Sequence, residues 1–295
     1  MNKAERNAII AIPFILLFAL VIAWAGSQGG YSAFGIPLFA LSVALAFVIQ
    51  WIAFVPAFIK QTEKFYDLVG SITFLSAIWI GVLLSPVVDA RSWLLLAIVS
   101  IWAVRLGAFL FRRVRVAGED RRFRDIKASF LRFLLAWTLQ GLWVSITLAA
   151  ALAAITSMTK RDLGVYALVG FLVWSLGFAI EVIADRQKSK FRADPRNASK
   201  FINVGLWSWS RHPNYFGEIV LWLGVAIIAL PALDGWQLLT LISPIFVIIL
   251  LSQVSGIPLL EARADEMWGG QAEYENYKAS TSLLVPRPPS VKASS

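Results

Sequence analysis

Cysteine is absent from this chain, and histidine occurs once, at His212. Disulfides, thiolate metal sites, iron–sulfur clusters and cysteine nucleophiles are therefore excluded, and a zinc site has no second imidazole to draw on. Charge is scarce: 15% of the residues are charged, where soluble domains carry about a quarter. No GxGxxG follows a strand pattern and no GxxxxGK(S/T) occurs, so any nucleotide is held by loops and helix ends rather than by a Rossmann domain or a P-loop. The glycine-rich run at 26–31 has no strand pattern beside it and reads as an external loop. Alternating-polarity segments of about ten residues are missing, which argues against an outer-membrane barrel. No inverted repeat is visible, which argues against a transporter.

Apolar residues fill the space instead. They make up 58% of the 295 residues, with a mean hydropathy of +0.70. A soluble fold could not hide that much surface from water. Runs of roughly 18 to 25 apolar residues cross a bilayer core of about 30 Å as helix. They predict spans at 8–25, 34–59, 68–85, 92–111, 130–156, 164–184, 215–230 and 236–257. The expected fold is an all-α, polytopic transmembrane bundle of seven or eight helices. Residues 1–286 are expected to form a single transmembrane domain, and the Pro/Ser-rich tail at 287–295 is expected to be disordered.

The formal charge of +9 is not evenly spread. Arg112, Arg113, Arg115, Arg121, Arg122, Arg124 and Lys127 occupy one loop, and Arg186, Lys188, Lys190, Arg192, Arg196, Lys200 and Arg211 another. The opposite loops carry only Arg91, Lys160 and Arg161. The positive-inside rule then puts both basic loops and both termini in the cytoplasm. Clustering beside membrane spans fits topology alone or an anionic ligand at the cytoplasmic face, and does not point to nucleic acid.

Ionisable groups inside apolar spans are costly and mark function by default, with helix–helix pairing as the competing use. Arg105, Glu181 and Glu218 are of this kind, and Gln140 and Gln253 share the cost uncharged. Glu181, Asp185, Lys188 and Arg192 step by 4-3-4, so they share one helix face that continues beyond the membrane and stops before Asp194-Pro195. Asn214 and Glu218 share another face, and Trp102, Arg105, Phe109 and Arg112 a third. The segment 210–218, SRHPNYFGE, places Pro213 at the first turn of the seventh span. Free N–H groups there favour an anion, with Arg211 beside them and His212 as a structural group or a phosphate contact. Gln61, Glu63 and Tyr66 lie at the boundary between spans two and three, either as a polar hinge or as the acid that serves a substrate carbonyl.

These residues resemble the steroid 5-alpha-reductase family, in particular its bacterial branch. The resemblance is carried by the stretch from Glu181 to Glu218, by LLEARADEMWGGQAEYENYKASTSLLVP at 259–286, and by RLGAFLFRRVRVAGEDRRF from Arg105. It implies a multi-pass protein of a bacterial inner membrane that uses NADPH to reduce a carbon–carbon double bond conjugated to a ketone in a steroid-like lipid. It implies that Asp185, Arg192, Asn214 and Glu218 hold the cofactor, with Arg211, His212 and Tyr215 flanking and Glu181 and Lys188 on the same stripe. Arg113, Arg122, Arg263, Tyr274 and Tyr277 follow in pattern. On the substrate side the chain departs from the family: Thr62 is interposed between Gln61 and Glu63, Trp102 stands at a tyrosine position, and Glu181 replaces an asparagine. The chain is also similar to membrane methyltransferases of the isoprenylcysteine carboxyl type, which share RHPxYxGE and an LExR…Y…Y pattern and use S-adenosylmethionine. The seven basic residues of Arg112–Lys127 and the stripe Glu181–Arg192 favour NADPH, which carries three phosphate groups where S-adenosylmethionine carries none.

Overall fold

The computed structural model describes residues 3–117 and 123–288, apart from the side chains of Arg113, Val116 and Ala117. Its long elements are helices: α1 (Lys3–Ser27), α2 (Leu38–Ile59), α3 (Tyr66–Leu83), α4 (Ala90–Ala117), α5 (Phe130–Thr156), α6 (Val165–Ala193) and α7 (Pro213–Ala229). Shorter helices follow, α8 (Ile242–Ile249), α9 (Ile257–Trp268) and α10 (Ala272–Ser280). Among the described residues, eight helical segments are long and apolar enough to cross a membrane. The protein is an all-α polytopic helical membrane protein. Phe14, Leu17, Leu20, Ile52 and Leu83 are more than half exposed along the spans, as lipid-facing side chains are.

The chain divides into two compact units, residues 1–168 with 226–243, and residues 169–225 with 244–295. In the first unit α5 is the central post. It packs against α1, α2, α3 and α4, and every residue from Val144 to Ser157 is buried. The alanine-rich run at 149–154 makes that encirclement possible, because small side chains let neighbouring backbones come close. Arg91, expected in an external loop, is instead 2% exposed. Its guanidinium donates to the carbonyls of Ile228 and Asp162, so a cation pays for its burial by closing helix and loop ends.

Two local departures from expectation have clear causes. Span two begins at Leu38 rather than at residue 34, because Phe34 (φ 56°) and Gly35 (φ 77°) form a tight turn that pairs strands β1 (Ser32–Ala33) and β2 (Ile36–Pro37). Span eight is not one regular helix. It runs as a 3-10 segment (Gly235–Leu241), α8 and a π turn (Leu250–Val254), and then breaks before α9, where Pro258 has no N–H to continue the ladder. Gln253, expected to be buried, is exposed in that π turn, whereas Gln140 is buried and donates to the Tyr66 carbonyl.

Candidate functional site

The second unit builds its site on a helix crossing. Gly170 and Gly177 of α6 face Gly217 and Gly224 of α7, each pair seven residues apart and so on one helical face. A Cβ added at Gly217 would lie 2.6 Å from the Glu181 nitrogen and 2.6 Å from the Gly177 carbonyl. One added at Gly224 would meet the Gly170 carbonyl at 2.6 Å. The helices therefore touch backbone to backbone, closer than side chains normally permit. That contact sets Glu181 against the turn that carries Glu218, and both carboxylates are buried.

The polar stripe of α6 forms as the spacing predicts. Glu181 and Asp185 are buried, Lys188 is half-buried and Arg192 is exposed. The helix ends at Ala193, and Asp194 then accepts from the backbone N–H of Arg196 to cap a short 3-10 turn. The loop that follows folds back onto α6. The Trp207 indole donates to the Ala184 carbonyl at 3.0 Å, Gln187 accepts from the Leu206 N–H, and the Lys188 ammonium sits 4.4 Å over the Trp207 ring. Residues 209–211 are tied to the C-terminal strap, with the Arg211 N–H donating to Ser282 and the Arg287 N–H to Trp209.

At the mouth of α7, Arg211 and His212 converge on one carboxylate. Glu261 of α9 accepts from Arg211 at 2.5 Å through one oxygen and pairs with His212 Nε2 at 2.8 Å through the other. The His212 ring stacks on Tyr215 with centroids 5.7 Å apart. Burial pushes the imidazole below its ordinary value, with the Glu261 hydrogen bond opposing. Among the described residues, His212 Nδ1 and Arg211 Nε are buried without a hydrogen-bond partner. Buried polar atoms rarely go unpaired, so these two valences stand out beside the satisfied Glu261 contacts.

Glu261 was not singled out from the sequence. The signal available was the demand of Arg211 and His212 for a counter-ion, met by the first carboxylate of LLEAR. The remaining C-terminal candidates play other parts. Arg263 is exposed. Tyr274 is buried, packs on Phe201 and donates to Asp265 at 3.1 Å. Tyr277 donates to the Trp207 carbonyl at 2.6 Å. Burial raises the pKa of both phenols, so they remain donors at neutral pH. A cavity of about 270 Å³ with a largely polar lining, including Asn197, Lys200, Asn203 and Gln271, opens in the same unit.

Gln61, Glu63 and Tyr66 belong to the first unit. Gln61 is exposed at a positive φ of 49° and bonds back to the Phe58 carbonyl. Glu63 is 3% exposed and paired with Lys127 at 2.8 Å. Lys127 reaches it because Phe123 is buried in an aromatic cluster with Phe54, Phe133 and Trp137, which folds the 123–129 segment onto the helices. The Tyr66 ring lies 4.6 Å from Phe123 and 5.1 Å from Trp137, and its hydroxyl donates to the Ala136 carbonyl at 2.8 Å. Trp102 is fully buried on the Phe74 ring. The Arg113 side chain and Arg122 lie outside the described residues, as does the tail from 289. Among the described residues, no group of three or more metal-ligating side chains is placed to hold an ion.

Residues 53–281 match the family described as "Protein of unknown function (DUF1295)". Over 119 residues, 40% of this chain, it is 28% identical to 3-oxo-5-alpha-steroid 4-dehydrogenase 1 of Rattus norvegicus. The protein of the same name from Mus musculus is 27% identical over the same length. The chain spans about two fifths of the length of these curated relatives, 40% and 41%. No solved structure matches.

Proposed function

The chain belongs to the DUF1295 family, and on that premise we propose that it is a membrane reductase that uses NADPH to reduce a conjugated enone in a steroid-like lipid. The observation that carries this reading is the cluster at the mouth of α7. Arg211 and His212 on Glu261 keep open polar valences beside the helix that bears Glu218, packed by glycines on the polar face of α6. The partial likeness to two 3-oxo-5-alpha-steroid 4-dehydrogenases supports a reductase over the methyltransferase alternative.

In this reading Asp185, Arg192, Arg211, His212, Asn214, Tyr215 and Glu218 hold the cofactor, with Glu181 and Lys188 completing the stripe. Lys188 and Arg192 offer cations to phosphate groups. NADPH held there would supply a hydride to the beta carbon of the enone, and water the proton that the alpha carbon takes up. As charge develops on the substrate carbonyl oxygen, a hydrogen-bond donor is the main catalytic need. Tyr66, or Glu63 in its protonated form, is the proposed donor, and the two are alternatives. Gln61 is the third member of that group. The lipid enters from the bilayer, and the basic loops face the cytoplasm.

Glu218→Ala tests the assignment. Calorimetry should show NADPH binding lost while the helical circular dichroism of the purified protein is retained. Unchanged affinity removes Glu218 from the site. Methyl transfer from labelled S-adenosylmethionine, with no loss of nicotinamide absorbance on adding a 3-oxo-4-ene steroid, moves the assignment to the methyltransferase.

A further inference from the structure

We propose that Nδ1 of His212 is a lone-pair acceptor that receives a hydrogen bond from an O–H or N–H group of the bound ligand, a hydroxyl or a carboxamide and not a phosphate. The inference rests on the cofactor reading above and names which part of the ligand this residue meets.

Both oxygens of Glu261 are engaged, one by the Arg211 guanidinium and the other by His212 Nε2. An ionised carboxylate has only acceptors, so Nε2 carries the hydrogen in that bond. A neutral imidazole has one N–H, which leaves Nδ1 bare. A second proton is disfavoured because the ring is 4% exposed and the cations of Arg211 and Lys188 oppose it. Nδ1 diverges from the Glu261 direction within the ring, and no described group donates to it. The ring cannot swing to find a partner, since the Tyr215 stack and the Glu261 bond hold it in plane. Phosphate oxygens bring lone pairs of their own, so they are repelled here. A ribose hydroxyl or a carboxamide N–H is accepted. The reading of His212 as a phosphate contact is set aside on this ground.

One histidine in the chain makes the test direct. Protein labelled with ring ¹⁵N histidine gives a single pair of imidazole signals. Above neutral pH and without ligand, Nε2 should be pyrrole-like and Nδ1 pyridine-like. Saturating NADP⁺ should move the Nδ1 signal toward the hydrogen-bonded range and leave Nε2 in place. The 3-acetylpyridine analogue, whose methyl ketone lacks the carboxamide N–H, abolishes that movement if the carboxamide is the donor and preserves it if a hydroxyl is. A pyrrole-like Nδ1 in the free protein overturns the proposal, as does an unmoved Nδ1 while calorimetry shows NADP⁺ bound; in that case Nδ1 has water alone as its partner. If NADP⁺ gives no binding heat, the cofactor reading fails. The same titration with S-adenosylmethionine, which carries hydroxyl and amino donors, then decides the acceptor, and an unmoved Nδ1 there overturns it.

Discussion

Replacing Gly217 by alanine should separate the helix crossing from everything else that shapes the second unit. The added Cβ would sit 2.6 Å from the Glu181 nitrogen and 2.6 Å from the Gly177 carbonyl, against an ordinary contact that begins at 3.4 Å. The shortfall is about 0.8 Å, and both obstacles are backbone, so no side chain can swing aside. The helices must part by about that amount, at an overpacking cost of about 1–3 kcal/mol. The displaced residues include Glu181 and Glu218, so NADPH affinity should fall by about tenfold or more, because positioning within about 0.5 Å is what such a site requires. The assay is thermal unfolding in detergent together with calorimetric titration of NADPH. Gly164→Ala is the control, since a methyl added there would meet nothing within 4 Å and its φ is ordinary. If Gly217→Ala matches wild type in both melting temperature and affinity, the backbone contact does not position the site.

Three further outcomes follow from particular contacts. Arg91→Met leaves the Ile228 and Asp162 carbonyls without their donor and should cost about 2–4 kcal/mol of stability, read as a lowered melting temperature that Arg91→Lys partly restores. Tyr66→Phe and Glu63→Gln should each cut turnover by about a hundredfold with little change in NADPH affinity, and normal turnover in both would remove them as donors. The His212 imidazole is held below its ordinary 6.5, so the folded chain binds fewer protons than the unfolded chain just beneath that pH. Its contribution to stability is complete above 6.5 and declines as pH falls toward the depressed folded value. Melting temperature followed against pH should show this acid limb in wild type and a shallower one in His212→Gln.

How much of this was legible beforehand depended on the range of the physics involved. Helix existence is a local matter of apolar run length, and all eight spans could be read. The stop at Asp194-Pro195 and the start at Pro213 could be read too, because proline acts on its own backbone. The turn at Phe34–Gly35 was missed, since a phenylalanine at positive φ carries no turn signal, and the break of span eight was hidden under unbroken hydropathy. The 4-3-4 stripe on α6 emerged from periodicity alone.

By itself the chain's composition determined the solvent, lipid, and the spacing of its few charges determined which of them share a helix face. Only tertiary structure decided their partners. Glu261 lies 50 residues from Arg211 and 49 from His212, Lys127 lies 64 from Glu63, and nothing local to either set requires them to meet. The same holds for the glycines of α6 and α7, whose common role exists only where two backbones cross. Burial turned those meetings into chemistry, because a charge out of water must find its opposite wherever the fold has put it.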